Sequence, residues 1–199
     1  DGRAFHTFTR GMKRPYDIDM SNSMIETMKY LVEKTNACIG YVQSDEISLI
    51  LSDTKDPMFG GRVQKLTSVI ASMATAKFNQ EIHKYYPDKP LAEFDCRVWA
   101  VPNRTEAANT ILWREYDAIK NSISMAARAY YSDKQCLGKN SDQKKEMLKE
   151  KNIDWDEAYF EPAPSQGMMA AFAFNIKVPT DLTAYISCYG TEAANNGGG

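Results

Sequence analysis

Carboxylates at two places in the sequence could share a divalent metal ion. Asp45 and Glu46 lie between two apolar runs, at residues 38–42 and 47–51, and Asp1 begins an Asp-Gly-Arg tripeptide far upstream. Magnesium binds one or two protein carboxylates together with phosphate oxygens and water. If Asp1 converged on Asp45, the pair could complete a two-metal site for phosphoryl transfer. Either segment alone is more typical of a solvated turn, because aspartate and glycine favour turns.

Basic residues at a predicted helix start could bind the phosphates of a nucleotide. Arg62 and Lys65 are three residues apart, so they share one face of the helix predicted from about Arg62 to Tyr86. The free backbone N–H groups and positive dipole end of a helix start also suit a triphosphate. Arg14 is a further candidate of the same kind. The simpler interpretation of these residues is a solvated, charged surface.

A polar stripe follows the next predicted helix, which Asn103 and Glu106 can cap and which extends to about Tyr131. Polar side chains recur there every three or four residues, at Arg114, Asp117, Asn121, Ser124 and Arg128. Such a stripe could line a nucleic-acid cleft, with arginine pairing phosphate and asparagine reading a base edge. It could equally be the ordinary polar face of an amphipathic helix.

The elements around these residues predict an α+β fold, with helices packed on one face of an antiparallel sheet. An amphipathic helix near residues 20–35, with Ser23 and Glu26 as a capping box, precedes a hairpin that turns at residues 43–46. Residues 94–101 alternate like a strand. The remaining predictions are a buried stripe at Leu66, Ile70, Met73, Phe78, Ile82 and Tyr85, a short helix near residues 142–151, and strands at 168–178 and 182–189.

Composition restricts the function classes. The chain has 199 residues, of which 43% are apolar and 25% charged, which predicts a folded core. The net charge is -2, so the overall charge of the chain does not favour RNA binding. A local basic patch would be enough for such binding. The four cysteines include no C-x-x-C pair, which argues against structural zinc. No run resembles a signal peptide or a membrane span, so reduced thiols and a cytoplasmic location are expected.

Six motifs, taken together and in this order, resemble the tRNA-His guanylyltransferase family. They are Asp1-Gly2-Arg3-Ala4-Phe5-His6-Thr7-Phe8, Arg14-Pro15-Tyr16-Asp17, Gln43-Ser44-Asp45-Glu46-Ile47-Ser48, Arg62-Val63-Gln64-Lys65, Phe94-Asp95-Cys96-Arg97-Val98 and Trp113-Arg114-Glu115-Tyr116-Asp117, within residues 1–156. The family's catalytic core is a palm related to polymerases and nucleotide cyclases. The resemblance therefore implies a palm-like domain over residues 1–131, and a C-terminal extension of charged helix and strands over 132–199. It also implies that a first strand precedes Asp1.

The resemblance implies a role for each matching residue. Asp1, the Gly2 carbonyl and Asp45 would hold two Mg²⁺ ions, and Glu46 would support the site as a further catalytic acid. The nucleotide would be contacted by Gly2, Arg3, Ala4, Phe5, His6, Arg14, Ser44, Asp45, Arg62 and Lys65. The RNA would be contacted by Arg97, Arg114, Asp117, Asn121, Ser124 and Lys139. A homo-oligomer, a tetramer by this resemblance, is also expected.

The activity that the resemblance implies is 3′–5′ nucleotide addition to the 5′ end of tRNA, with ATP activating that end and GTP or another NTP adding to it. Eukaryotic members carry His-Ile-Asn-Asn-Leu-Tyr-Asn after Trp-Arg-x-x-Asp. This chain has Ile119-Lys120-Asn121-Ser122-Ile123-Ser124-Met125 instead. That run looks more like the bacterial and archaeal guanylyltransferase-like proteins, which repair tRNA 5′ ends by template-directed addition. The sequence therefore predicts broad repair in place of strict tRNA-His recognition.

Two other functions fit parts of the sequence. A nucleotide cyclase or a forward polymerase would share the palm. A non-catalytic RNA-binding module would show aromatic pairs on sheet strands for base stacking. Tyr41 and Trp99 lie on predicted strands, but no Arg-Gly-Phe-type run accompanies them.

Overall fold

A small antiparallel sheet lies at the centre of the computed structural model, which describes residues 1–51, 55–156 and 172–174. Its strands are β1 (Ile39–Gln43), β2 (Glu46–Ile50) and β3 (Phe172–Phe174), in the order β2-β1-β3. The predicted hairpin is confirmed, because Gln43 pairs with Glu46 and leaves Ser44 and Asp45 as the turn. The predicted strand at 168–178 is described only over β3, and the one at 182–189 lies outside the described residues.

Helices surround this sheet. They are α1 (Phe5–Phe8), α2 (Ile18–Thr35), α3 (Val63–Ile82), α4 (Arg104–Tyr130), α5 (Asp133–Cys136) and α6 (Ser141–Lys149), with a short 3-10 turn at Met58–Gly61 before α3. The α+β class is therefore confirmed. Asn103 caps α4 as predicted, since its side chain accepts a hydrogen bond from the Glu106 N–H.

The capping box predicted for α2 is wrong. The helix begins earlier, because the Asp17 carboxylate accepts hydrogen bonds from the backbone N–H groups of Asp19 and Met20. Ser23 lies inside the helix, where its hydroxyl donates to the Asp19 carbonyl. Aspartate caps a helix as well as serine does, and Asp17 lies about one and a half turns before Ser23, so the helix begins directly after Asp17.

The sheet is covered on both faces, so the prediction of helices on one face only is wrong. On the first face α2 packs so closely that a Cβ on Gly40 would lie 2.4 Å from the Met28 sulfur. On the second face the Gln43 amide donates to the Asp117 carboxylate of α4, at 3.5 Å. Alternate residues of a strand point to opposite faces, and β1 is buried at all five positions. Both faces of β1 therefore require a cover.

Residues 94–101 do not form the predicted strand. Cys96 and Val98 do point inwards, against the core cluster that contains Leu66 and Ile70. Only Phe94 takes part in pairing, however, as an isolated antiparallel bridge to Gly2. Within the described ranges no strand runs beside residues 96–101, and a strand needs a partner for its backbone hydrogen bonds. The alternation of apolar and polar residues therefore reflects which side chains are buried, and not the backbone pairing of a β-strand.

The core lies between α2, α3 and the first face of the sheet. Most of the stripe predicted for α3 is buried, at Leu66, Ile70, Phe78 and Ile82. Tyr85 lies past the helix end and is 48% exposed, so its place in the stripe is wrong. A separate cluster of Ile123, Ala126, Leu148 and Trp155 packs α6 onto the end of α4. In the residues that the structure describes, no helix is long and apolar enough to span a membrane.

Candidate active site

Backbone hydrogen bonds bring the two predicted acidic segments together. The Gly2 N–H donates to the Asp45 carbonyl at 3.0 Å, across the hairpin turn. The Asp95 N–H donates to the Asp1 carbonyl at 2.9 Å, on the other side. Residues 1–2 are therefore held between the turn and the extended segment at residues 93–95. Asp1 and Asp45, which are far apart in the sequence, lie at one edge of the sheet.

The two carboxylates differ in their partners. Asp45 is half-buried, and no side chain in the described part of the chain forms a hydrogen bond or ion pair with its carboxylate. The Asp1 carboxylate accepts from the Arg97 guanidinium at 3.3 Å, and Arg97 also pairs with Asp95 at 3.5 Å. Because Arg97 is largely exposed, solvent screens this ion pair and a ligand can displace it.

The residues at this edge fit a hard divalent cation. Two carboxylates and a peptide carbonyl offer oxygen donors of the kind that Mg²⁺ prefers. The described residues contain no group of three or more acidic, histidine or cysteine side chains that could hold a metal. A cation bound by Asp1, Gly2 and Asp45 would therefore complete its coordination shell with water and phosphate oxygens, which is usual for magnesium bound with a nucleotide.

Close packing fixes the backbone at Gly2. A Cβ at that position would lie 2.3 Å from a ring carbon of Phe5. The Phe5 ring is itself 4% exposed and lies 5.4 Å from the Phe78 ring and 5.2 Å from the Phe94 ring, between centroids. Only glycine fits against this aromatic cluster. Arg3 and Ala4, which follow directly, and His6, which lies in α1, are exposed.

The predicted phosphate-binding pair lies at the start of α3. The Arg62 side chain donates to the Phe59 carbonyl at 3.1 Å, and the Lys65 ammonium lies 5.0 Å from the centroid of the Phe59 ring. Both residues are exposed. No side chain in the described part of the chain caps α3, so the backbone N–H groups of its first turn are left without a side-chain partner at the positive end of the helix dipole. These groups can bind a phosphate chain.

The segment that pairs with Asp1 packs on α3, the helix whose start carries the basic pair. The Phe94 N–H donates to the Thr75 hydroxyl at 3.1 Å, and both Phe94 and Cys96 pack against the core cluster that contains Leu66 and Ile70. The acidic residues and the basic pair are therefore connected through one helix, because the segment that pairs with Asp1 packs on α3 and the basic pair lies at the start of α3.

Arg14 is not brought together with this pair. The Lys13 N–H donates to the Asp17 carboxylate at 3.1 Å, and the Tyr86 hydroxyl donates to the same carboxylate at 2.5 Å. Tyr86 follows the end of α3, which is about 30 Å long. Arg14 therefore lies at the opposite end of α3 from Arg62.

The polar stripe on α4 divides into two parts. Arg114 and Asp117 face the hairpin, and the Arg114 guanidinium pairs with Glu46 at 2.5 Å. Asn121 is exposed, although its amide donates to Asp117 at 3.1 Å. Further along, the Ser124 hydroxyl accepts from Lys144 at 3.0 Å. Sequence spacing placed these residues on one helix face but could not show that the first part contacts the sheet.

A family model for tRNA-His guanylyltransferase matches residues 1–102 of the 199, which include both acidic segments and the basic pair. The chain belongs to the tRNA-His guanylyltransferase family. The solved structure of a bacterial tRNA-His guanylyltransferase-like protein in complex with ATP is 45% identical. The match covers 79% of this chain and 70% of that one, with a TM-score of 0.74.

Two fungal members of the family are less similar to this chain in sequence than that bacterial protein. The crystal structure of the Saccharomyces cerevisiae enzyme is 25% identical, covers 92% of this chain and 89% of that one, and has a TM-score of 0.73. The tRNA-His guanylyltransferase of Eremothecium gossypii is 29% identical over 62% of this chain. The chain spans 55% of the length of that curated relative.

Proposed function

We propose that this chain adds nucleotides in the 3′–5′ direction to the 5′ end of tRNA, with the opposing base as template. Family membership supports this activity. The single observation on which it rests is the hydrogen bond from the Gly2 N–H to the Asp45 carbonyl, at 3.0 Å. That bond joins the family's two acidic motifs at one edge of the sheet, and the palm-like domain at residues 1–131 is part of the same proposal.

Asp1, the Gly2 carbonyl and Asp45 would hold two Mg²⁺ ions, with Glu46 as a supporting acid. When bound, the ions lower the pKa of an attacking hydroxyl group and neutralise charge on the leaving oxygens. The chain's own contribution is to fix both carboxylates through backbone hydrogen bonds and the Phe5 packing. Such preorganisation stabilises charge without reorganisation during the reaction.

The nucleotide would lie between this edge and the start of α3. Solved bacterial relatives of this chain contain ATP and GTP. Here Arg62 and Lys65 would bind the phosphates, aided by the backbone N–H groups of α3. The remaining contacts are proposed for Ser44, for the exposed residues Arg3, Ala4 and His6, and for the buried Phe5 between them. Arg14, at the other end of α3, is better placed for RNA than for the same triphosphate.

The proposed reaction has two steps. A 5′-phosphate oxygen of the RNA attacks the α-phosphorus of ATP and displaces pyrophosphate, which leaves a 5′-adenylylated end. The 3′-hydroxyl of the incoming NTP then attacks the 5′-phosphorus and displaces AMP. A 5′-triphosphate end needs no activation, because pyrophosphate is already its leaving group.

Exposed polar residues would bind the RNA. Arg97, Asn121 and Lys139 present their side chains to solvent, and phosphate contacts of this kind give affinity without reading sequence. The expected tetramer and the expected cytoplasmic location remain predictions. The boundary at residue 131 between the palm-like domain and the C-terminal extension also remains a prediction.

Labelled-nucleotide incorporation into a 5′-truncated tRNA tests the proposal. The 199-residue chain is incubated with ATP, GTP and Mg²⁺, and we expect one labelled nucleotide to be added at the 5′ end. Cyclic nucleotide formed without RNA would replace the proposal by a cyclase. RNA binding that needs no metal and gives no product would replace it by a binding module. That last alternative lacks the expected aromatic pair on sheet strands, since Tyr41 is only 2% exposed and Trp99, although 65% exposed, lies outside the described strands.

A further inference from the structure

A network of four side chains connects the hairpin turn to α4. Gln43 and Glu46 flank the turn and are paired in register, so they point to the same face of the sheet. On that face the Arg114 guanidinium pairs with Glu46 at 2.5 Å and with Asp117 at 3.4 Å. The Gln43 amide donates to Asp117 at 3.5 Å. Both ends of the turn are therefore fastened to one turn of α4.

This network is not arranged as RNA-binding residues would be. The Arg114 side chain is only 15% exposed, and its Nε is buried with no hydrogen-bond partner in the described part of the chain. A guanidinium that binds RNA phosphate is exposed and free to pair with it. A desolvated ion pair also contributes little net stability, because desolvation offsets the attraction. Its position therefore favours a role in fixing geometry.

The segment that the network fastens is strained. Ser44 has a φ of +52°, which lies in the left-handed region that non-glycine residues rarely adopt. Such a conformation persists only where the surrounding structure holds it. Asp45 follows Ser44 directly, so the orientation of its carboxylate depends on the same turn.

We propose that Arg114 is a positioning residue, which acts through Glu46 to hold the turn so that the Asp45 carboxylate stays beside Asp1. This inference rests on the proposed metal site. It replaces the RNA contact that the sequence predicted for Arg114. Arg114 itself contacts neither the nucleotide nor the RNA.

The sign of a change in metal affinity separates positioning from simple electrostatics. Arg114 is a cation near the site, so its removal should tighten the binding of Mg²⁺ or Mn²⁺ if only charge matters. If Arg114 positions the turn, its removal should weaken metal binding, because residues that orient metal ligands affect affinity by about tenfold or more. The two effects oppose each other, so one titration decides between them.

Binding of Mn²⁺ to the whole chain, followed by electron paramagnetic resonance without nucleotide or RNA, is the measurement. We expect Arg114→Gln to weaken Mn²⁺ binding about tenfold. Arg114→Lys should be nearly as weak, because a lysine keeps the charge but lacks the planar guanidinium whose two terminal nitrogens pair separately with Glu46 and Asp117. Lys29→Gln removes an exposed ion pair on α2 and should leave Mn²⁺ affinity unchanged. Circular dichroism melting checks that each variant is folded.

A double-mutant cycle tests the route through Glu46. In a Glu46→Gln background, Arg114→Gln should weaken Mn²⁺ binding by no more than about twofold, since the pair is already broken. Filter binding of tRNA in EDTA should show the same affinity and salt dependence for Arg114→Gln as for the parent chain.

Three outcomes would overturn the inference. They are Mn²⁺ binding by Arg114→Gln that is unchanged or tighter, an undiminished effect of Arg114→Gln in the Glu46→Gln background, and a loss of tRNA affinity in EDTA. If the parent chain itself binds no Mn²⁺, the metal site of the proposed function fails as well. If the parent binds Mn²⁺ and the variants bind equally, only the role of Arg114 fails.

Discussion

Among the acidic side chains at the edge of the sheet, Asp45 differs from its neighbours. Glu46 is paired with Arg114, and Asp1 is paired with Arg97. Asp45 has no such partner in the described part of the chain, although it is half-buried. A half-buried carboxylate without a partner loses hydration and gains nothing in return, unless a ligand pairs with it. This asymmetry makes Asp45 the side chain at which metal binding can be tested most directly.

Asp45→Asn should therefore abolish nucleotide addition while the fold remains. Asparagine fits the same turn but lacks the charge that a divalent cation requires, so we expect the rate to fall by at least about a hundredfold. The measurement is labelled-nucleotide incorporation, with circular dichroism to confirm folding. Asp88→Asn, at an exposed aspartate beyond α3, is the matched control and should be fully active. A fully active Asp45→Asn protein would refute the metal assignment.

Lys65 should act on the nucleotide and not on the RNA. A charge-assisted contact to a phosphate is worth about 1.5–3 kcal/mol, so Lys65→Ala should raise the KM for ATP and GTP by tenfold or more. The affinity for tRNA should change by less than about twofold, since one lost phosphate contact in a large interface has little effect. Steady-state kinetics and filter binding give the two numbers. Equal KM values for parent and variant would rule out the contact.

Single-residue roles could be predicted only in part from the sequence. Residue type and motif order select Asp1, Asp45 and the Arg62–Lys65 pair as candidates, because chemistry restricts which side chains can serve. The structure brings the segments of Asp1 and Asp45 together, and the role of each residue remains a prediction. The ion pairs of Arg97 and Arg114 could not be predicted. Each joins residues far apart in the chain, and no local spacing records such a contact.

At the scale of elements, one hydrogen bond ties the start of α2 to the end of α3. The Tyr86 hydroxyl donates to the Asp17 carboxylate, which also caps α2. Burial works to raise the pKa of Asp17, but bonds from Tyr86 and from backbone N–H groups outweigh it and hold that pKa below its ordinary value. The same bond, together with burial, raises the pKa of Tyr86 to about 12. The two helices are therefore joined through a pH-sensitive contact.

Tyr86→Phe should lower the free energy of unfolding by about 1.5–3 kcal/mol at pH 7, the worth of a hydrogen bond to a charged group. The Tyr86 pKa is raised on folding, so its contribution is complete below about pH 10 and is lost as the pH rises through 12. The Asp17 pKa is lowered, so its contribution is complete above its ordinary value of 3.8 and is lost as the pH falls below it.

Urea unfolding at pH 3, 7 and 11.5 provides the test of this contact. The difference between parent and Tyr86→Phe should be largest at pH 7 and smaller at both extremes. Tyr85→Phe changes an exposed neighbouring tyrosine and should have no effect at any pH. A difference that is the same at all three pH values would show that the bond does not titrate as described.

Two elements followed the sequence because a local rule decides each of them. The hairpin and α4 have local signals, in the two polar turn residues and in the Asn103 cap. Residues 94–101 show the limit of such rules. Their alternation correctly indicates that Cys96 and Val98 are partly buried, but formation of a strand also requires a neighbouring strand with which to pair. The placement of α4 on the second face was missed for the same reason.

At the scale of the molecule, the family's His-Ile-Asn-Asn region belongs here to a hydrophobic cluster. Ile119 packs against the group formed by Ile123, Ala126, Leu148 and Trp155, which holds α6 on α4. An isoleucine in this environment adds apolar burial, whereas a histidine there would need a hydrogen-bond partner. The side chain at this position therefore serves packing between helices and is not available to read a base.

The whole chain should accordingly act as a broad repair enzyme, a hypothesis that depends on Ile119. An enzyme that lets the opposing base select the incoming nucleotide needs no side-chain code for guanine, because base pairing supplies the discrimination while the protein holds phosphates and metals. We expect 5′-truncated tRNAs of several identities to be extended, each with the complementary nucleotide. The measurement compares substrates with C, A, G or U opposite the missing position. Addition of G alone, whatever the opposing base, or activity on tRNA-His only, would instead assign the chain the narrow guanylyltransferase reaction.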